Sequence, residues 1–140
     1  MADAFYQIFR NAILGNVVHS LPDLNTDTIK VILRDEGADA LNLADEDLAD
    51  IVAGSRIATS AAVGSPTVGT VAVGTFDHAD VTFTAVTGAS VESLDYFKDS
   101  GTEATSPLVC NIDSATGLPV TPNGGNITWA PNASGVFQIA

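Results

Sequence analysis

From Arg56 onward the chain is cut into short runs by turn-forming residues. Gly, Pro, Asn, Asp, Ser and Thr gather at 64–66, 74–78, 87–90 and 99–106. Between these clusters stand RIATSAAV, TVGTVAV, DVTFTAV, SVESLDYF and PLVCNI. The closing stretch, VTPNGGNITWAPNASGVFQIA, repeats the pattern, with one turn cluster ahead of residues 127–129 and another ahead of 136–139. Breaks at intervals of roughly 8–12 residues are the mark of a β-sandwich or barrel, whereas a doubly wound sheet needs helical stretches between its strands. The spacing predicts seven or eight strands after Arg56. Composition agrees: 46% of residues are hydrophobic but only 6% aromatic, which suits short twisted strands and tight turns better than a helical bundle. The fold class expected is mainly β.

The first 55 residues read differently. ADAFYQIFRNAILG places Phe5, Ile8, Phe9, Ala12 and Ile13 at helical spacing, with Gly15 as a stop. Asp3 suits the positive end of the helix dipole and Arg10 the negative end, so a short N-terminal helix is expected within 1–15. In TIKVILR, Ile29, Val31 and Leu33 alternate with Lys30, Ile32 and Arg34, which predicts a strand with one wet side. Leu48, Ile51 and Val52 follow among many acids, and a second short helix is expected over 44–53, ended by Gly54. No solenoid-period repeat and no linker interrupts the chain, so residues 1–140 are read as a single β-sandwich domain.

Charge narrows the functions available. Five Lys and Arg stand against 17 Asp and Glu, a formal net charge of -12. Such a chain gains nothing from counterion release on a phosphate backbone and is repelled by anionic membranes, so neither nucleic acid nor membrane is an expected partner. No stretch approaches the roughly 20 apolar residues of a membrane span, and the start lacks the succession of a signal peptide. A virion-borne or intracellular protein is expected.

The residues that commonly carry chemistry do not assemble into a site. Cys110 is the only cysteine; Leu108, Cys110 and Ile112 fall on one face of an expected strand, which reads as an inert core thiol with nothing basic near it in sequence. The acids Asp35, Glu36, Asp39, Asp45, Glu46, Asp47 and Asp50 lack the order of a calcium loop and read as a solvated helix face and loop. His19 and His78 have no second histidine or cysteine near them to form a zinc site, and no G-x-S-x-G motif is present. VGSPTVGTVAVGT matches no phosphate-binding glycine pattern. Asn126 and Asn132 begin glycosylation-type triplets, but turn chemistry accounts for both more simply. No metal, no cofactor and no enzymatic activity are expected.

The order of several segments carries a resemblance. AFYQIFRNAILG, then LNTDTIKVILRD, then FDHADVTFTAV, and the ending PLVCNIDSATGLPVTPNGGNITWAPNASGVFQIA resemble a family of small tailed-phage virion proteins, the head decoration or cement proteins. The resemblance spans nearly the whole chain except the acidic segment 35–50. It implies a jelly-roll-like β-sandwich of about eight strands that binds the outer surface of an assembled capsid. The implied partner is the major capsid protein, with assembly as a homo-oligomer, a homodimer first because two-fold closure is commonest. The chain would be made in the host cytoplasm and reside on the virion.

Two segments are candidate contacts with such a partner. Phe5, Tyr6, Ile8 and Phe9 form a stripe that either packs on its own chain or reaches a neighbour. In GVFQIA, Val136 alternates with Phe137 and Ile139, so both faces of a terminal strand are apolar; it either closes its own sandwich or meets another subunit. Three other functions compete with the capsid reading. One is a tail or head-fibre component. The second is a carbohydrate-binding jelly roll presenting Trp129, the sole tryptophan. The third is a small hydrolase using His19 or His78.

Overall fold

The computed structural model describes residues 3–16 and 21–139. Ten short strands and one α-helix occur among them, in the order β1 (Ala4–Phe5), α1 (Gln7–Ile13), β2 (Ile29–Arg34), β3 (Arg56–Thr59), β4 (Thr67–Val68), β5 (Thr75–Asp77), β6 (Val81–Phe83), β7 (Ser93–Lys98), β8 (Leu108–Ile112), β9 (Ile127–Trp129) and β10 (Phe137–Gln138). They form three antiparallel sheets, ordered β1-β8-β7-β2-β3, β10-β5-β4 and β6-β9. The chain is mainly β, as the turn spacing requires, and the sheets do not close into a barrel.

The second half of the chain is one long ribbon folded on itself. The loop 99–107 joins β7 to β8, and residues progressively farther from that loop on its two sides meet all the way out. Leu94 faces Ile112, Val91 faces Val120, Val81 faces Trp129, and Phe76 faces Phe137. Strands β7·β8, β6·β9 and β5·β10 are therefore nested pairs. Two close backbone approaches hold the outermost pair. A side chain on Gly74 (φ 76°) would run into the Ile139 carbonyl, and one on Gly135 (φ 92°) into Thr75 and the Phe76 carbonyl. Glycine also adopts these left-handed angles without the steric penalty other residues meet.

The N-terminal helix is shorter than expected. Ala4 and Phe5 pair with Asn111 and Cys110 at the edge of the large sheet, so the helix begins only at Gln7. Ile8, Phe9 and Ala12 are its buried face.

The strand β2 has no wet side. It lies between β7 and β3, and both of its faces are covered. Ile29, Val31 and Leu33 join Leu94, Tyr96, Phe76 and Phe83 in the main core. Ile32 turns the other way, into a smaller cluster with Tyr6, Ile8, Leu48, Ile51, Phe97 and Leu108. A register shift between Tyr96 and Phe97 puts Leu108 in this second cluster while Cys110 and Ile112 stay in the first, so the three do not share a face as expected.

No α-helix forms over 44–53. The segment instead holds two 3-10 turns, Leu48–Asp50 and Ala53–Ser55. The Asp35 carboxylate accepts the Gly37 and Ala38 N–H groups, Asn42 accepts that of Ala44, and Asp50 accepts those of Glu46 and Asp47. Short polar side chains that capture nearby N–H groups offer the backbone an alternative to the helix. Leu48 and Ile51 still reach the core, where a fully buried side chain of this size is worth about 1.5–3 kcal/mol.

Candidate interaction surface

Two networks of polar side chains lie inside the protein. The first lies on the second face of the large sheet. Arg34 donates to Asp95 (3.2 Å), to the Tyr6 hydroxyl (3.1 Å) and to the carbonyls of Asp39 and Ala40. Tyr6 donates to Asp95 at 2.6 Å, and Asn111 links Asp95 to Ser93. Burial works against the Arg34 charge, but the neighbouring Asp95 carboxylate outweighs it and the guanidinium holds its proton more tightly than usual. Burial also drives the Tyr6 phenol far above its ordinary range, so it stays a donor. Arg34, Tyr6 and Asp95 are all 0% exposed, so this network orders a core and meets no substrate.

The second cluster joins the three sheets. Trp129 of β9 donates its indole N–H to the Tyr96 hydroxyl of β7, and that hydroxyl lies 2.7 Å from Nε2 of His78, just past β5. His78 Nδ1 is 2.7 Å from the Ala79 carbonyl, which can only accept, so Nδ1 carries the proton and Nε2 accepts from Tyr96. Burial lowers the His78 pKa and outweighs the Ala79 carbonyl and the carboxylates of Asp77 and Asp80, so the ring is held neutral. This is a structural histidine. His19, the other one, lies outside the described residues.

The remaining candidates for chemistry have structural roles. Cys110 is buried, and burial together with Asp95 and Asp3 raises its thiol well above the usual value. No group of His, Cys, Asp or Glu among the described residues has metal-binding geometry. Asn132 accepts from the Ser134 N–H and hydroxyl, the turn role its sequence suggests, whereas Asn126 accepts from the Ala85 N–H, 41 residues away, and so joins two distant loops instead of closing its own turn. No helix among the described residues is long and apolar enough to cross a membrane.

The apolar segments singled out from the sequence are mostly inside. Tyr6, Ile8 and Phe9 are buried in their own chain. Phe5 is half-buried, edge-on to Phe137 with ring centres 4.9 Å apart. Val136 and Phe137 pack against the main core. The helix stripe and the terminal strand thus close on each other, and Ile139, 42% exposed, is the member of the set that faces outward.

Ile139 has exposed neighbours that periodicity did not single out. Its N–H donates to the Gly74 carbonyl, and the Gln138 amide donates to the Val73 carbonyl, which ties the chain end to the β4–β5 hairpin. On that hairpin Val68, Val71 and Val73 are exposed, Val73 by 87%. A signal for them exists in the sequence: residues 57–76 contain no charged side chain, in a chain of net charge -12. That neutral stretch carries three of the exposed large apolar side chains of the chain, others being Ile13, Leu14, Leu21 and Val52.

Compared with models of known protein families the chain finds no match, and no curated protein is similar to it in sequence.

Proposed function

We propose that this chain is a structural virion protein that binds the outer surface of an assembled phage capsid and cements the shell, with no catalytic role. The observation that carries the reading is the uncharged hairpin: Val68, Val71 and Val73, with Ile139 beside them, are exposed apolar side chains on a strongly acidic protein whose Cys110 and His78 are both buried. Large exposed apolar side chains grouped together mark contact sites, and the charge elsewhere disfavours nucleic acid. The nested pairs β7·β8, β6·β9 and β5·β10 support a jelly-roll-like sandwich, since such a fold is a long antiparallel ribbon rolled up. The segment resemblance to cement proteins points the same way.

In this reading the hairpin meets the major capsid protein, or a sister subunit of a homodimer seated on it. A protein that binds only the assembled lattice stabilises it by mass action. Two measurements test this. Mass spectrometry of purified particles should find the chain at a copy number comparable to the shell protein; a handful of copies would instead favour a tail or fibre. Co-sedimentation with shells should weaken at least tenfold for Val71→Asp/Val73→Asp, with an unchanged melting temperature because both side chains are exposed. Undiminished binding of that variant would remove the hairpin from the interface.

A further inference from the structure

A cleft of about 400 Å³ opens beside β9, within the size range of small-molecule sites. A second cavity of about 240 Å³ adjoins it, and the two share Ala115, Thr116, Thr128 and Trp129 as walls. Trp129 is half-buried, and its ring is fixed from behind by the indole N–H bond to Tyr96, itself anchored on His78. The aromatic surface is therefore set in place before any ligand arrives, which lowers the ordering cost of binding.

Around that ring the lining mixes small apolar side chains such as Ala115, Ala130 and Val136 with polar ones, and it is uncharged with one exception. Thr116, Thr128, Asn132 and Ser134 supply hydroxyl and amide groups. The exception is Asp3, whose carboxylate accepts from the Ser114 N–H and hydroxyl and so bridges the chain's beginning to the 114 loop. A carboxylate has about four acceptor positions, so it retains capacity for further donors. No Lys or Arg lines either cavity.

This combination selects a ligand class. A flat apolar ring needs a ligand with an apolar face, and the rim needs one edged with hydroxyl donors and acceptors. The absence of a cation among the lining residues, next to a carboxylate, disfavours phosphates and acidic sugars. A nucleobase would satisfy the ring, but its phosphates would meet the acidic surface unpaired. We propose that the cleft beside Trp129 is a binding site for a neutral saccharide, one sugar ring stacked on the indole with its hydroxyls hydrogen-bonded to the polar rim. The joined second cavity gives room for a further sugar unit. The site stands independently of what the hairpin contacts.

Trp129 is the only tryptophan, so its emission reports directly on a stacked ring. The full chain is titrated with neutral gluco-, galacto-, manno- and N-acetylglucosamine oligosaccharides. The expected result is a saturable emission change for at least one series, half-complete at or below about 1 mM. Calorimetry then follows two variants. Trp129→Phe keeps a ring but loses the Tyr96 bond and should weaken binding at least tenfold. Thr116→Tyr fills the cleft from an exposed position, so it should abolish binding while leaving the melting temperature unchanged. The proposal is overturned if no neutral series binds at about 10 mM, if folded Thr116→Tyr binds as the parent does, or if only acidic sugars or an extended peptide give the saturable signal.

Discussion

Tyr96→Phe isolates the contribution of a single oxygen atom to the joining of three sheets. The Tyr96 ring is completely buried and packs edge-on against Phe76 with centres 6.3 Å apart, and phenylalanine keeps that packing. The hydroxyl does not survive. Its loss leaves His78 Nε2, on a residue 6% exposed, without its donor, and the half-buried Trp129 N–H without its acceptor. A buried polar group stripped of its partner costs about 1–3 kcal/mol. Two such groups, one of them closer to solvent, give an expected loss of about 2–4 kcal/mol. At about 3–4 °C per kcal/mol for a domain near this size, the melting temperature should fall by roughly 6–16 °C. Thermal melting followed by circular dichroism and by Trp129 emission measures both the loss and its location, and the emission should shift even below the transition. In a double-mutant cycle with Trp129→Phe the two losses should be less than additive, because the second change removes a group the first has already orphaned. A shift under 2 °C with unaltered emission would refute the claim that this hydrogen-bond chain ties the sheets.

Three further outcomes follow from the same contacts. Arg34→Met should destabilise the fold by about 3–5 kcal/mol in urea unfolding, because it strands the Asp95 carboxylate in the core, and adding Asp95→Asn should recover part of that loss. Stability should decline as pH falls below about 6.5, the ordinary histidine value: the unfolded chain takes up a proton there that neutral, buried His78 refuses until lower pH, and His78→Gln should flatten that part of the urea-midpoint profile. Gly74→Ala should release the chain end from β5, seen as faster amide exchange at Ile139 and Val136, while amides in β7 and β8 keep their protection.

The β-rich second half was legible because its signals are local. Turn residues sit at each break, and Val81–Phe83 and Ile127–Trp129 alternate as half-buried strands should. The buried thiol and the turn role of Asn132 were legible for the same reason. Where the reading failed, the deciding partner lay far along the chain or the pattern served two conformations. Arg34 looks like a solvent-facing charge until Asp95, 61 residues later, and Tyr6, 28 residues earlier, close over it. Leu48 and Ile51 have a spacing that fits a helix and equally fits a pair of tight turns, and the Asn42 and Asp50 side chains, by capturing the N–H groups of Ala44, Glu46 and Asp47, decided for the turns. The exposed hairpin was hidden for a different cause. Amphipathic patterning points to residues that must be covered, whereas Val71 and Val73 stand out by the missing charge around them, a property of composition over residues 57–76.

The folded ribbon has a bearing on how the chain finds its structure. Contacts such as Phe76 with Phe137 span more than sixty positions, and taken singly they would demand closure of a large, slow loop. Nesting removes most of that demand. Once β7 has met β8 across the 99–107 loop, each outer rung has only a segment of roughly ten residues to gather in, far shorter than the full span, so pairing can advance like a zipper from the tip outward. A topology that looks dominated by distant partners is thereby assembled through a series of near neighbours.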